Sequence, residues 1–331
     1  MYLNAQLPSL RSQWGRPYHL WITQDFDEKG WFHLGKSKTL GRTHDVALYV
    51  QDPDGRFALM NHHTTPPGLQ RAQGAGAAPG ESFQHGVKRT AKEEIGLEVE
   101  LQKFVLHVTL DARHAGDLAT WETVAFSAAP TPGPEAVGKQ VQWATASQLE
   151  ELARRLREGG DGALAYRARL AESYLWALEH PLSIKEAGER MMAKIEASSA
   201  AKDPLVGHVR DFFWWAAEVH GLYGGAVGVR FLPDAMLLVG LNVHPMFRGR
   251  GIGHALVECA ADRLQDHAFL DSLGPGIAKA AKGGLWVSAD SSGYYMPSGF
   301  KTARPGHAPP SVIQALKAAL REDKPVLHFA P

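Results

Sequence analysis

The stretch "NVHPMFRGRGIGHAL", residues 242–256, decides how the second half of this chain folds. It follows the apolar run "AMLLVGL", and in what comes after it Ile252, Leu256, Ala260 and Leu264 recur every four residues. That spacing gives a helix one buried stripe. "RGRGIG" is therefore a glycine-rich turn between a strand and a helix, where unpaired backbone N–H groups and the helix dipole favour an anion. Arg248 and Arg250 add charge suited to phosphate oxygens. A dinucleotide fold is the competing reading. The glycine spacing departs from that fingerprint, and the upstream residues "FFWWAAEVHGLYGGAVGVRFLPDAMLLVGL" read as antiparallel hairpins instead of a βαβ unit.

Working outward to the first half, "PGESFQHGVKRTAKEEIGLEVE", residues 79–100, reads as a helix closed by Gly96 and carrying Arg89, Glu93 and Glu94, with Glu81 at its entry. Several carboxylates on one helix are an economical way to hold Mg²⁺ or Mn²⁺ against a diphosphate, because the cation neutralises phosphate oxygens and acidifies a bound water. Arg89 stands one turn before Glu93 and can fix its direction. The approach "QGAGAAPGE" lets backbone come close to a phosphate. A plain solvated charged face remains the competing reading of "KRTAKEE".

The remaining segments set the organisation. "DVALYVQDPDGRFALMNH" reads as two strands around the turn "DPDG", and "EVELQKFVLHVTL" and "TWETVAFSA" as further strands. "TASQLEELARRLREGG" is a helix capped by Thr145 or Ser147, and "PTPGPEAVGK" a loop. A second helix, "ALAYRARLAESYLWALEH", runs into Pro181 before strand patterning resumes at "PLSIKEA". With 331 residues, two domains are expected, 1–177 and 178–331. Lys+Arg 35 balance Asp+Glu 35, so no global field attracts nucleic acid or an anionic membrane. No apolar run is long enough to span a bilayer, and the start has no secretory pattern, which points to a soluble cytoplasmic protein. The single cysteine, Cys259, excludes an intrachain disulfide and falls on the apolar side of its helix.

The 242–256 segment resembles the acetyl-CoA-binding segment of the GNAT acyltransferase superfamily. Its pattern of Arg or Gln, two residues, Gly, one residue, Gly or Ala is met by Arg248, Gly251 and Gly253, and "LWVSADSSGYYMPSGF" resembles the family's next strand with a Tyr five residues before Phe300. The resemblance covers residues 181–331, from "PLSIKEA" to "KPVLHFA". It implies a mixed sheet flanked by helices and transfer of an acetyl group from acetyl-CoA to an amine. The implied cosubstrate residues are Leu241, Val243, Arg248, Gly249, Arg250, Gly251, Ile252, Gly253 and His254. Tyr295 is implied as the acid that protonates the departing thiolate, with Tyr294 its rival. The strand after Asp234 carries no acidic residue, so His244, His220 or an ordered water stand open as base.

The 79–100 segment resembles the signature box of the Nudix hydrolases, covering residues 40–155. Glu81, Arg89, Ala91, Glu93, Glu94, Gly96 and Leu97 are in register. Ala75 replaces the first glycine, and Thr90 replaces the Glu that follows the Arg. The resemblance implies a mixed-sheet α/β/α sandwich, a metal held by Glu81, Glu93 and Glu94, catalytic roles for Glu93 and Glu94, and a nucleoside diphosphate ligand. A hydroxyl at 90 neither attracts a dication comparably nor accepts a proton near neutral pH. Hydrolysis with a substitute carboxylate such as Glu122 and a purely ligand-binding or regulatory domain therefore both stay open.

Overall fold

The computed structural model describes residues 3–62, 65–76, 78, 80–131, 141–290, 294–304, 306–321 and 323–329. Most of the loop read at 130–139, and Gly293, lie outside them. The chain divides into two compact α/β units, residues 1–181 and 182–331.

The N-terminal unit runs α1 (Leu3–Trp14), β1 (Tyr18–Asp25), α2 (Glu28–Thr39), β2 (His44–Val50), β3 (Phe57–Asn61), β4 (Gln70–Arg71), β5 (Gln73–Gly76), α3 (Phe83–Glu94), β6 (Val99–His114), β7 (Asp117–Pro130), β8 (Gln142–Ala144), α4 (Ala146–Glu158) and α5 (Gly162–Glu179). A five-stranded mixed sheet has the order β1-β6-β7-β2-β5, and a three-stranded sheet the order β4-β3-β8. The two strands read around "DPDG" both form, yet they enter different sheets, with the isolated bridge Gln51↔Phe57 between them.

Alternation along β2 explains the layers. Val46, Leu48 and Val50 pack with Leu3, Leu7 and Leu10 of α1 and with Phe83, Val87 and Ala91 of α3. On the other face Tyr49 stacks on Tyr174 of α5 at 3.8 Å, and Tyr166 donates to Thr123 at 2.8 Å. The helices start where side chains satisfy orphan N–H groups. Ser82 caps α3, Thr145 and Gln148 form a capping box on α4, and Asp161 caps α5.

The C-terminal unit runs β9 (Leu182–Glu186), α6 (Glu189–Glu196), β10 (Phe213–Val219), β11 (Leu222–Phe231), β12 (Met236–Val243), α7 (Ile252–Arg263), α8 (His267–Ser272), α9 (Pro275–Lys282), β13 (Leu285–Ser288), β14 (Phe300–Thr302), α10 (Pro310–Ala318) and β15 (Val326–Phe329). Its seven-stranded sheet has the order β14-β15-β13-β12-β11-β10-β9 and is antiparallel except for β12 and β13. The hairpin read at "EVHGLY" turns at His220 and Gly221, both at positive φ. Cys259 is buried, as a core residue.

Candidate functional site

In the C-terminal unit β12 and β13 pair from Met236↔Leu285 to Leu238↔Val287, after which β12 continues to Val243 with no strand partner on that side among the described residues. The ladder to β11 is shifted between Ala226 and Gly228, a bulge that leaves Gly240 at φ 59°. A side chain there would also strike Trp214, whose ring stands 2.5 Å from the site of a Cβ. The Gly240 N–H is turned out of the ladder to Asp203 Oδ2 at 3.0 Å, and the other oxygen of Asp203 accepts from Leu205 N–H at 3.0 Å and Arg321 at 3.3 Å. Leu241 and Val243 therefore lie on an extended strand beside an open edge, which an extended chain can join by backbone hydrogen bonds.

Beyond β12 the chain turns through Pro245–Phe247 and reaches α7 with Gly249 at φ 73° and Gly251 at φ 82°. Only glycine takes this conformation without penalty. Gly251 caps α7 with no side-chain hydrogen bond, and the first-turn N–H groups of the helix follow directly on the glycine turn. Arg248, Gly249 and Arg250 are exposed around them. Helix-start N–H groups beside positive charge are the arrangement that favours an anion.

The two tyrosines diverge. The Tyr294 hydroxyl stands against Gly253, where a Cβ would lie 1.9 Å from it and 3.3 Å from Val243. His254 stacks on the Tyr294 ring at 4.5 Å, and its Nε2 meets the Tyr294 carbonyl at 2.9 Å. Tyr295 packs on Phe300 at 5.7 Å and is influenced by Asp203, Arg321 and Asp290. Burial pushes the Tyr294 hydroxyl up to about 12 and that of Tyr295 higher still, so both carry their protons near neutral pH. Of the candidate bases, His244 caps its own turn by accepting the Met246 N–H at 3.4 Å, and His220 is exposed in the β10–β11 turn.

In the N-terminal unit the box carboxylates are all engaged by arginine. Arg89 donates to both oxygens of Glu81, at 2.8 and 2.9 Å, and to Glu93 at 3.0 Å. This pairing holds the Glu81 carboxyl down at about 2. Glu94 accepts from Arg71 at 2.9 Å and from the Gly74 N–H at 2.9 Å. Arg71 is buried, which lowers its pKa to about 10, and its side chain is 4% exposed against 14% for Glu94. Among the described residues, Glu81, Glu93 and Glu94 do not meet as a group whose oxygens lie within 4.8 Å. Thr90 is 1% exposed and shares the stripe of α3 with Val87 and Ala91. The residues as placed are not arranged around a divalent cation: each carboxylate is paired with an arginine, and the position of the missing Glu faces the core.

Glu122, the substitute carboxylate considered from the sequence, belongs to a different cluster. It accepts from Thr109 at 3.1 Å, meets His107 Nε2 at 2.8 Å, and lies opposite His44 in the β2–β7 pairing. His19 stacks on His107 at 4.0 Å and meets Thr109 at 3.0 Å. His44, 3% exposed, is held down at about 4 by burial, with Glu122 opposing. Strand register separates this cluster from Glu94: Glu94 touches Gly74, which pairs with Ala47, three residues along β2 from His44, roughly 10 Å. Arg71, Asp45 and Asp203 escaped the sequence reading, because their partners lie far along the chain, 23 residues away for Arg71 and Glu94.

Residues 174–275 match the model of the acetyltransferase (GNAT) family. No curated protein matches this chain. Among solved structures it is similar to N-acetylglutamate synthase from Neisseria gonorrhoeae complexed with coenzyme A and N-acetyl-glutamate, at 16% identity over 56% of this chain and 49% of that one, with a TM-score of 0.35. This chain thus spans about half the length of the Neisseria enzyme. It is also similar to the ribosomal-protein-S18-alanine N-acetyltransferase from Escherichia coli, at 16% identity over 45% of this chain and 92% of that one, with a TM-score of 0.29. The Ap4A hydrolase of C. elegans is similar at 18% identity over 39% of this chain and 97% of that one, with a TM-score of 0.27. No helix among the described residues is long and apolar enough to cross a membrane. The family match thus lies on residues 174–275, which carry the acetyltransferase (GNAT) pattern.

Proposed function

We propose that this protein transfers the acetyl group of acetyl-CoA to an amine. The observation that carries the reading is the start of α7, which no side chain caps, reached through Gly249 and Gly251 at positive φ, beside the edge of β12 that has no strand partner past Leu238 among the described residues. The pyrophosphate would sit on the N–H groups of residues 249–254 between Arg248 and Arg250. The pantetheine arm would run along Leu241 to Val243 as an added strand. A backbone N–H near Val243 would polarise the thioester carbonyl. The neutral amine attacks that carbon, the C–S bond breaks, the thiolate takes a proton from a tyrosine, and the proton lost by the attacking nitrogen returns through water to the tyrosinate. The resemblance assigns that proton to Tyr295. The position of the Tyr294 hydroxyl against Gly253 and Val243 favours Tyr294.

Release of CoA thiol from acetyl-CoA across an amine panel tests the reading, with Tyr294→Phe and Tyr295→Phe assayed beside the native chain. Loss of kcat, about a hundredfold, in Tyr294→Phe with acetyl-CoA affinity kept is the expected result. The same loss confined to Tyr295→Phe would return the role to Tyr295, and failure to bind acetyl-CoA at all would remove the acetyltransferase reading.

For the N-terminal unit we read a ligand-binding domain in preference to a Mg²⁺-dependent hydrolase. Neutralisation of Glu81, Glu93 and Glu94 by Arg89 and Arg71, and the burial of Thr90, favour this reading.

A further inference from the structure

The bulge in β12 decides which of its backbone groups face the open edge. Ala226 pairs with Asn242 but Gly228 with Val239, so Gly240 and Leu241 together occupy the place opposite Val227. Past the bulge the His244 N–H donates to the Gly224 carbonyl at 2.9 Å, on the β11 side. Alternation along the strand then turns the N–H groups of Leu241 and Val243 to the open edge. Without the bulge every later residue of β12 would move by one position, and these two donors would face β11 instead.

Asp203 is the side chain that meets the bulge. It stands 37 residues before Gly240, just after the turn Ser199–Lys202, and its Oδ2 accepts the Gly240 N–H at 3.0 Å. Gly240 is buried, so without this acceptor its N–H would be an orphan, a cost that the strand escapes by losing the bulge. The other oxygen is fixed from two sides, by the Leu205 N–H at 3.0 Å and by Arg321 at 3.3 Å. Leu205 and Val206 are buried and anchor the segment. Arg321 also lies 3.6 Å from Asp290, just beyond the end of β13. One guanidinium thus links the residue that grips β12 to the segment leaving β13, where the two strands stop pairing. The inner pair is screened far less than the outer one, since Arg321 is 17% and Asp203 19% exposed against 76% for Asp290.

We infer that Asp203 is a positioning residue for acetyl transfer: it holds the bulge at Gly240, and the bulge aims the Leu241 and Val243 N–H groups at the pantetheine arm and its thioester. The inference rests on the reading of the C-terminal unit as an acetyltransferase and adds a residue that lies outside both of the motifs carrying the resemblance. Asp203 acts through Gly240 and touches no reacting atom. Its effect falls on the arm and not on the nucleotide half of CoA. The pyrophosphate would sit on the turn into α7, while the hydrogen bonds of Asp203 go to Gly240, Leu205 and Arg321.

Competitive calorimetry on the full chain tests this, with acetyl-CoA and with 3′-phospho-ADP, which is CoA without its pantetheine arm. The native chain is expected to bind acetyl-CoA at least about tenfold tighter than 3′-phospho-ADP. Asp203→Ala is expected to weaken acetyl-CoA about tenfold, with KM for acetyl-CoA raised to match, and to weaken 3′-phospho-ADP less than about twofold. Asp203→Asn keeps the shape of the side chain and serves if the alanine variant does not fold. Its one carbonyl oxygen must serve both Gly240 and Leu205, and a loss of about threefold confined to acetyl-CoA is expected. Equal weakening of both ligands would make Asp203 a support of the whole unit and overturn the inference. Unchanged acetyl-CoA affinity in the variants that fold would also overturn it, with the acetyltransferase reading left standing. A native chain that binds 3′-phospho-ADP as tightly as acetyl-CoA would overturn the docking of the arm on β12, and with it the role of Asp203. A native chain that binds neither would overturn the acetyltransferase reading itself.

Discussion

The turn before α7 and the helix α3 both present a motif for phosphate chemistry, and they are built in opposite ways. At the turn the active groups are backbone N–H dipoles, fixed by Gly249 and Gly251 at positive φ and by the absence of a capping side chain. On α3 they are carboxylates, and what they can do depends on which side chains reach them first. Arg71 and Arg89 reach all three. A backbone-made site survives wherever the local conformation does, whereas a side-chain-made site can be closed by partners from elsewhere while every motif residue stays in place.

The comparison breaks most visibly at Glu94. Glu94→Gln leaves the Arg71 charge buried without its partner, and a stability loss of about 3 kcal/mol is expected in urea unfolding. A loss below about 1 kcal/mol would mean that the pair is solvated and the carboxylate free to take a metal.

Gly251→Val probes the other side. A β-branched residue at φ 82° is expected to cost roughly 2 kcal/mol of strain, read as about a thirtyfold weaker acetyl-CoA affinity in calorimetry. An unchanged affinity would show that the glycine conformation is not what makes the site.

The smallest expected effect concerns His44, where burial again decides a side chain's chemistry. Its folded pKa, about 4, lies below the ordinary value of 6.5. The unfolded chain therefore binds more protons between those values, and the stability this group contributes is present above pH 6.5 and lost as pH falls towards 4. Acidification from pH 7 to pH 5 should cost up to about 2 kcal/mol. Comparing native and His44→Gln chains by urea unfolding at both pH values checks this, since equal declines would assign the loss to other groups.

Much of this molecule was legible in its sequence. The helix of the box, its glycine stop at Gly96, the capped helix after Thr145, the hairpins, β12 and the turn into α7 all follow from local spacing and turn chemistry. The "DPDG" strands were legible as strands but not as members of separate sheets, since sheet membership depends on pairing with β5, β7 and β8. Thr90 was legible as a departure from the box, and only packing places it on the core stripe with Val87 and Ala91. Tyr294 and Tyr295 are neighbours in sequence whose side chains meet different surroundings, one Gly253 and Val243, the other Phe300 and the charges of Asp203 and Arg321.

The sequence by itself determined the elements and the glycine turn into α7, because helix periodicity, capping and glycine conformation are local properties of consecutive residues. Tertiary structure alone decided the pairing of the box carboxylates and the different surroundings of the two tyrosines. Charge pairing and burial depend on groups brought together from distant parts of the chain, as Arg71 is brought to Glu94.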